Sequence, residues 1–294
     1  MTADHIKTTV ANGYARIARA RTPNPFAKLF SCCAPGDTAR QVSRAIGYTD
    51  EDLDSAPEAS NLGVGCGNPI ALSSIQEGDT VLDLGSGAGF DSFLAAPLVG
   101  ESGRVIGVDL VDEMLELARK NADACGFENV SFVKGDIEDL PLESESVDRI
   151  VSNCVINLAP DKARVFSEAH RVLRDGGTFH ISDIVLTRDL PEAVRASEAG
   201  LIACVSGAER LDTYLQYAHD AGFTDVRIDS ETDFPLELML TDPIVQRVVE
   251  DLQLDARQIE EIRSSVKSIA MSGRKADVRQ LDQLPHRPHE TLTG

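Results

Sequence analysis

Three cysteines stand where chemistry could be done: Cys66 in Gly-Cys-Gly-Asn-Pro, Cys154 in Ser-Asn-Cys-Val-Ile-Asn-Leu and Cys204 in Ala-Cys-Val-Ser-Gly-Ala. They are too far apart for a local zinc knuckle, whose ligands come in pairs about two to four residues apart. If they act together, only the tertiary fold can assemble them. Three converging sulfurs would suit a soft ion that prefers thiolates to oxygen donors.

A second group of residues surrounds a glycine-rich turn. Residues 81–91 read Val-Leu-Asp-Leu-Gly-Ser-Gly-Ala-Gly-Phe-Asp, a strand running straight into a helix start. Glycines 85, 87 and 89 let the backbone turn tightly and bring a ligand up to the helix N-terminus. The spacing is Asp-x-Gly-x-Gly-x-Gly from Asp83, not the Gly-x-Gly-x-x-Gly turn that seats a dinucleotide pyrophosphate. Asp109 closes the run Val-Ile-Gly-Val-Asp, where an acid would hold ribose hydroxyls, and Asp136 follows the next apolar run.

The elements that must position these groups alternate. Strands are expected at 80–84, 104–108, 130–133, 149–152 and 178–182, with helices at 112–125 and 161–173 between them. That order predicts an α/β fold, a doubly wound, mostly parallel Rossmann-like sheet covered on both faces. A helix at 212–221, a strand at 225–229, a helical stretch at 243–263 and a last strand at 265–272 follow. Before the core, residues 1–37 read as a helical arm and a loop carrying Cys32-Cys33, then a short amphipathic stretch at 39–48. Thr49 next caps a helix with an acidic first turn. The expected organisation is 1–60 helical arm and thiol loop, 61–232 core, 233–276 a helix and strand completing the sheet, and 277–294 a disordered tail. In a doubly wound sheet ligands bind at the carboxyl ends of the strands. Cys154 directly follows the fourth strand, and loops place Cys66 and Cys204 within reach of the same rim.

Composition narrows the function. The 294 residues carry 28 basic and 48 acidic side chains, a formal charge of −20, which would repel a phosphate backbone. No nucleic-acid partner is expected. Lysine is scarce, seven residues against 21 arginines, a surface suited to high salt or simply to solubility. No window approaches the ~20 apolar residues of a spanning helix, and the N-terminus lacks the basic-then-apolar order of a leader. A soluble, cytoplasmic protein without a membrane partner is therefore expected. Six cysteines without regular spacing point to catalytic or ion-binding thiols rather than a disulfide framework, the plainer alternative being buried filler. Cys125 at a helix end reads as packing, as do His170 and His180.

The glycine turn with Asp83, Asp109 and Asp136 in order resembles the class I S-adenosylmethionine-dependent methyltransferases. Residues 61–69, 83–91, 152–158 and 204–208, with 265–275 at the end, resemble more narrowly the signature segments of the arsenite S-adenosylmethionine methyltransferases. The resemblance implies a seven-stranded methyltransferase sheet, S-adenosylmethionine held by Asp83, Gly85, Ser86, Gly87, Asp109, Leu110, Asp136, Ile137 and Asn153, and trivalent arsenic held by Cys66, Cys154 and Cys204. Arsenic(III) keeps a lone pair opposite its three bonds, so three thiolates would aim that pair at the electrophilic methyl without a general base. Asn153 and Asn157 either orient a ligand or cap the strand end. Each transfer oxidises arsenic, which calls for thiols to reduce it. The resemblance implies an N-terminal cysteine, Cys32 or Cys33, pairing with Cys66, and a thioredoxin- or glutathione-like reductant as partner. Antimonite or methylarsenite would fit the same thiols. The competing readings are a methyltransferase of a quinone or other small molecule, a non-catalytic arsenite-binding thiol protein, and a nicotinamide oxidoreductase.

Overall fold

Residues 80–84 can be a strand only if both faces are covered, since four of the five are apolar or β-branched on alternating sides. In the computed structural model Thr80–Leu84 is β1, buried along its whole length. The structure describes residues 1–21, 35–234, 246, 249–250 and 252–277. Its sheet contains β2 (Arg104–Asp109), β3 (Val130–Lys134), β4 (Val147–Asn153), β5 (Leu173–Leu186), a two-residue β6 (Glu209–Arg210), β7 (Phe223–Asp233) and β8 (Val266–Lys275). The order across the sheet is β3-β2-β1-β4-β5-β8-β7, with β6 beside the end of β5. β1 to β5 pair in parallel and β8 runs antiparallel between β5 and β7. This is the mostly parallel Rossmann-like sheet expected, with seven main strands. The strand order turns back between β1 and β4, and that switch point is where a crevice opens beyond the strand ends.

Helices cover both faces. α4 (Phe90–Val99) and α5 (Asp112–Cys125) follow β1 and β2, while α6 (Lys162–Val172) and α9 (Leu211–Asp220) flank the other half. The largest core cluster joins Leu82, Ile150, Phe166, Phe179 and Tyr214 across β1, β4, β5, α6 and α9. α2 (Pro35–Ala45) and α3 (Asp50–Ser55) precede β1, and Thr49 and Asp52 form a reciprocal capping box at the start of α3. Between β5 and β6 lie α7 (Glu192–Arg195) and α8 (Glu198–Ile202).

The N-terminal arm is α1 (Ala3–Arg21). It does not stand away from the core: Ala15 and Ala18 are buried against Leu62, Ala88, Val111 and Met114. At the other end, the stretch expected to be helical over 243–263 is described mainly as α10 (Ala256–Ser265), capped by Asp255 with Gln258 reaching back. Most of 243–251 and all of the tail after Asp277 lie outside the described residues. The strand expected at 225–229 is longer, because β8 offers it a partner from Lys275 back to Lys267. Among the described residues no helix is long and apolar enough to cross a membrane.

Candidate active site

At the carboxyl end of β1 the chain turns through Gly85 (φ 66°), Ser86 and Gly87 (φ 52°) into α4. The Gly85 and Ser86 amides donate to the Val108 carbonyl of β2 at 2.8 and 3.1 Å, which folds the turn over the neighbouring strand. A Cβ on Gly85 would come within 2.4 Å of Val155, whereas one on Gly87 would meet nothing within 4 Å. Gly85 is thus a packing glycine, and Gly87 faces open space. That space is an open cleft of ≈ 1170 Å³ lined by Asp83, Gly85, Ser86, Gly87, Asp109, Leu110, Asp136, Ile137 and Asn153, and by Cys154.

The acids of the cleft are placed by their strands. Asp109, at the end of β2, accepts from the Gly87 amide (2.9 Å) and the Val111 amide (2.8 Å). Asp136 follows β3 and accepts from Lys7 of α1 at 2.6 Å, and Lys7 also bonds Glu138. Asp83 is buried in β1 and accepts from Ser92 Oγ at 2.6 Å. Burial, and then the neighbouring Asp91, push its carboxyl well above the usual range. Burial raises Asp109, against the amides that stabilise its charge, and raises Asp91 to about 6 against its bonds from Tyr48 and Asn153. Buried carboxylates in this number favour a ligand that brings positive charge. Ser86 Oγ is buried without a partner. A cationic nucleoside with hydroxyls to donate and accept fits this wall: an open glycine cradle, an unpartnered hydroxyl and acids at three strand ends.

The three thiols meet beyond β4. Cys66 sits in the loop before β1, where its amide donates to Asn153 Oδ1 at 3.0 Å and its carbonyl accepts from Ser268 Oγ at 2.5 Å. Asn153 also gives its Nδ2 to Tyr48 (2.9 Å), the Gly67 carbonyl (2.8 Å) and Asp91 (3.1 Å). Its polar atoms therefore staple the Cys66 loop to β4. Cys154 comes next in the chain, and Cys204 arrives from the loop after α8. The exposures are 2%, 4% and 5% for Cys66, Cys154 and Cys204. The Cys66 and Cys154 sulfurs lie within 4.8 Å of one another, and on the other side the Cys204 thiol donates to the Cys154 carbonyl at 3.7 Å.

Each thiol is held protonated. Burial pushes Cys66 up to about 11. For Cys154 the bond from Cys204 lowers the pKa, but Cys66 and burial outweigh it, and for Cys204 the bond to Cys154 and burial both raise it. Three further groups complete the pocket, of which Tyr14 and Asp183 are not singled out by the sequence and Asn157 is. Tyr14 of α1 has its hydroxyl 3.3 Å from Cys204 Sγ. Asn157 donates to the Cys204 carbonyl at 3.1 Å and faces Cys154 Sγ at 3.8 Å; its position beside Cys154 was noted, its bridge to Cys204 was not. Asp183, fully buried in β5, puts a carboxylate oxygen within 4.8 Å of both Cys66 and Cys154 sulfurs. A charged residue inside the apolar run 181–186 was the available signal for Asp183.

Cys32 and Cys33 lie outside the described residues. Cys125 is exposed, not packed as expected, because it ends α5 just before Gly126 on the solvent side. His180 is buried in β5, with desolvation pulling it down to about 4, and His170 packs edge-on to Phe223.

Comparison with known proteins follows the same lines. Residues 75–224 match a family model described as a methyltransferase domain. An arsenite methyltransferase of Halobacterium salinarum is 46% identical over 205 residues, 69% of this chain and 52% of that protein. The human arsenite methyltransferase is 39% identical over 201 residues, 65% of this chain and 52% of its own length. The crystal structure of an arsenic(III) S-adenosylmethionine methyltransferase from Chlamydomonas reinhardtii matches with a TM-score of 0.58 at 35% identity, over 82% of this chain and 74% of that one. The chain spans about half the length of the curated relatives it matches.

Proposed function

We propose, from the premise that this chain belongs to the methyltransferase-domain family and within it to the arsenite methyltransferases, that it methylates trivalent arsenic held by Cys66, Cys154 and Cys204. The observation that carries the reading is the convergence of three buried thiols around Cys154, a residue that also lines the cleft of the glycine turn and its acids. Arsenous acid and three thiols exchange neutrally: each sulfur replaces one hydroxyl, each thiol proton leaves in a water molecule, and no base must carry charge through the interior. The resulting three-sulfur pyramid directs the arsenic lone pair away from the sulfurs. Cys154, shared between the cleft wall and the thiol group, is the link that turns that pair toward the cleft.

S-Adenosylmethionine, held along residues 85–87 with Asp83, Asp109, Asp136, Leu110 and Ile137 around it, would supply an electrophilic methyl group on a cationic sulfonium. The chain's own contribution is alignment and exclusion of water. Lys7 and Tyr14, two helical turns apart on α1, both line the cleft, one bonded to Asp136 and the other facing the Cys204 sulfur, so one helix reaches both the acids and the thiols. Transfer leaves arsenic formally pentavalent, and a two-electron reduction by thiols must restore it. We assign that role to Cys32 or Cys33 with Cys66, recharged by a thioredoxin- or glutathione-type reductant. The reading puts the protein in the cytoplasm, where thiols stay reduced.

The test is incubation of the full chain with S-adenosylmethionine, arsenite and a thiol reductant, separating arsenic species by mass spectrometry, with Cys154→Ser alongside. Methylated arsenic from the unaltered chain and little from the variant is expected. Arsenite bound but never methylated would overturn the catalytic reading in favour of a binding protein, and methylation undiminished in Cys154→Ser would remove the thiol site.

A further inference from the structure

Trivalent arsenic asks this pocket for three sulfurs and no more, because its lone pair fills the fourth direction. The pocket nonetheless contains a fourth donor. A carboxylate oxygen of Asp183 and the sulfurs of Cys66 and Cys154 all lie within 4.8 Å of one another, and the Cys204 thiol donates to the Cys154 carbonyl alongside at 3.7 Å. Asp183 is 0% exposed. It accepts from Tyr214 (2.7 Å), the Asn157 amide (3.0 Å) and the Ile184 amide (2.8 Å). A carboxylate offers about four lone-pair directions, so these bonds fix the group without exhausting it.

We propose that Cys66, Cys154, Cys204 and Asp183 form a tetrahedral site of three sulfurs and one oxygen for a thiophilic d10 dication, zinc or cadmium, which competes with arsenite for the same thiols. A metal at the centre of the triangle of Cys66, Cys154 and Asp183, with sides of 4.8 Å or less, is at most about 2.8 Å from each corner. Zinc bonds to thiolate and carboxylate run about 2.0–2.3 Å, so these three donors close in by roughly half an ångström, and Cys204 swings in from the Cys154 carbonyl to complete the tetrahedron. The three thiols release their protons to solvent on binding, and no electrons move. Asn157 Nδ2 and the Tyr14 hydroxyl face two of the sulfurs, and the Lys162 ammonium acts on Asp183, so the added negative charge has partners. Arsenic gains nothing from Asp183, whereas a tetrahedral ion needs it. The carboxylate therefore distinguishes the two kinds of occupant. Competition rests on the reading of these thiols as the arsenic ligands; binding of the dication does not.

The experiment titrates cadmium chloride into the reduced full chain, following the ultraviolet cadmium–thiolate band, in the unaltered protein, Cys154→Ser and Asp183→Asn. Signal from Cys32, Cys33 and Cys125 persists in Cys154→Ser and is subtracted. Expected are one cadmium lost in Cys154→Ser and a ~10-fold or greater weakening of cadmium in Asp183→Asn, a clearly larger loss than arsenite suffers in the same variant. Cadmium-113 NMR of the unaltered protein should read three sulfurs and one oxygen, an outcome that does not depend on the variant folding. Unchanged cadmium affinity in Asp183→Asn, equal loss of cadmium and arsenite there, or an all-sulfur NMR shift would each overturn the proposal. Cadmium binding with no arsenite methylation would sink the catalytic reading alone; methylation with no cadmium bound at Cys154 would sink this one alone.

Discussion

Cys154 and Cys204 share a left-handed backbone, with φ 58° and 63°, and Asn157 bridges them, facing the sulfur of one and donating to the carbonyl of the other. Left-handed backbone costs a non-glycine residue about 1–2 kcal/mol, so the surrounding bonds must hold both cysteines there. The Cys154 amide reaches the Ser182 carbonyl of β5 at 2.8 Å, and the Cys204 amide the Leu201 carbonyl at 2.9 Å. The conformation points both sulfurs to one spot, a placement that extended backbone at either residue would undo.

Asn157→Ala should show what the bridge contributes. It strips a buried carbonyl of its donor, a change worth about 1–3 kcal/mol, and frees the Cys204 loop to relax. A lower denaturant midpoint and weaker arsenite binding by titration are expected together. Loss of stability with arsenite affinity intact would mean that the bridge serves the fold only.

The two inner glycines of the cofactor turn should part company. In Gly85→Ala the new Cβ meets Val155 at 2.4 Å, so the variant should lose about 2–4 kcal/mol. Gly87→Ala meets no neighbour; it should lose about 1–2 kcal/mol from backbone strain alone but intrude on the cleft. Calorimetric titration with S-adenosylhomocysteine should find Gly87→Ala folded and poor at binding. Tight binding by that variant would place the ligand elsewhere in the cleft.

Much of this arrangement was legible in the residues, and the failures have physical causes. β1 and α5 fall where the apolar runs and periodicities put them, because each has one face or two faces to bury. The convergence of Cys66, Cys154 and Cys204 followed from the rule that strand carboxyl ends share a rim. Tyr14 could not be seen, since its partner is 190 residues away. Asp183 is equally hidden, because Tyr214, which supplies its hydrogen bond, lies 31 residues on. The residue type of Cys125 argues for packing, yet the end of α5 at residues 123–125 faces water, a matter decided by the fold rather than by local pattern.

Two buried acids should shape the pH dependence of stability. Burial raises Asp91 and Asp183 from 3.8 to about 6. A carboxyl with a raised folded-state pKa holds its proton more tightly when folded, so its contribution is complete below 3.8 and is lost as pH rises through about 6. At roughly 1.4 kcal/mol per pKa unit, each could account for up to ~3 kcal/mol. Glu168 acts the other way: Arg171 lowers it from 4.5, so its contribution is lost as pH falls below that value. The ligand-free protein should be most stable at about pH 4 to 4.5, decline as pH rises to about 6 and stay weaker at about 7.5. Asp91→Asn should flatten the decline on the alkaline side. A midpoint that climbs from about pH 5 to 7.5 would contradict both assignments.

The protonated thiols lead to a prediction about arsenite itself. With Cys66 up at about 11 and Cys154 and Cys204 raised well above the ordinary thiol range, all three enter the reaction carrying their protons. Arsenous acid brings three hydroxyls, and three waters leave, so no proton is gained or lost overall. Affinity should then be flat from about pH 6 to 8, since linkage requires a net proton change for any slope. Thiolates bound in advance would instead give an affinity that falls about tenfold per unit of rising pH for each hydroxide released. Alkylation supplies an independent check, because iodoacetamide attacks the thiolate. Peptide mapping at neutral pH should find the exposed Cys125 labelled well before the three buried cysteines, and arsenite should slow labelling of those three without protecting Cys125. Rapid labelling of Cys154 in the absence of arsenite, together with a sloping affinity, would show that the pocket ionises its thiols after all.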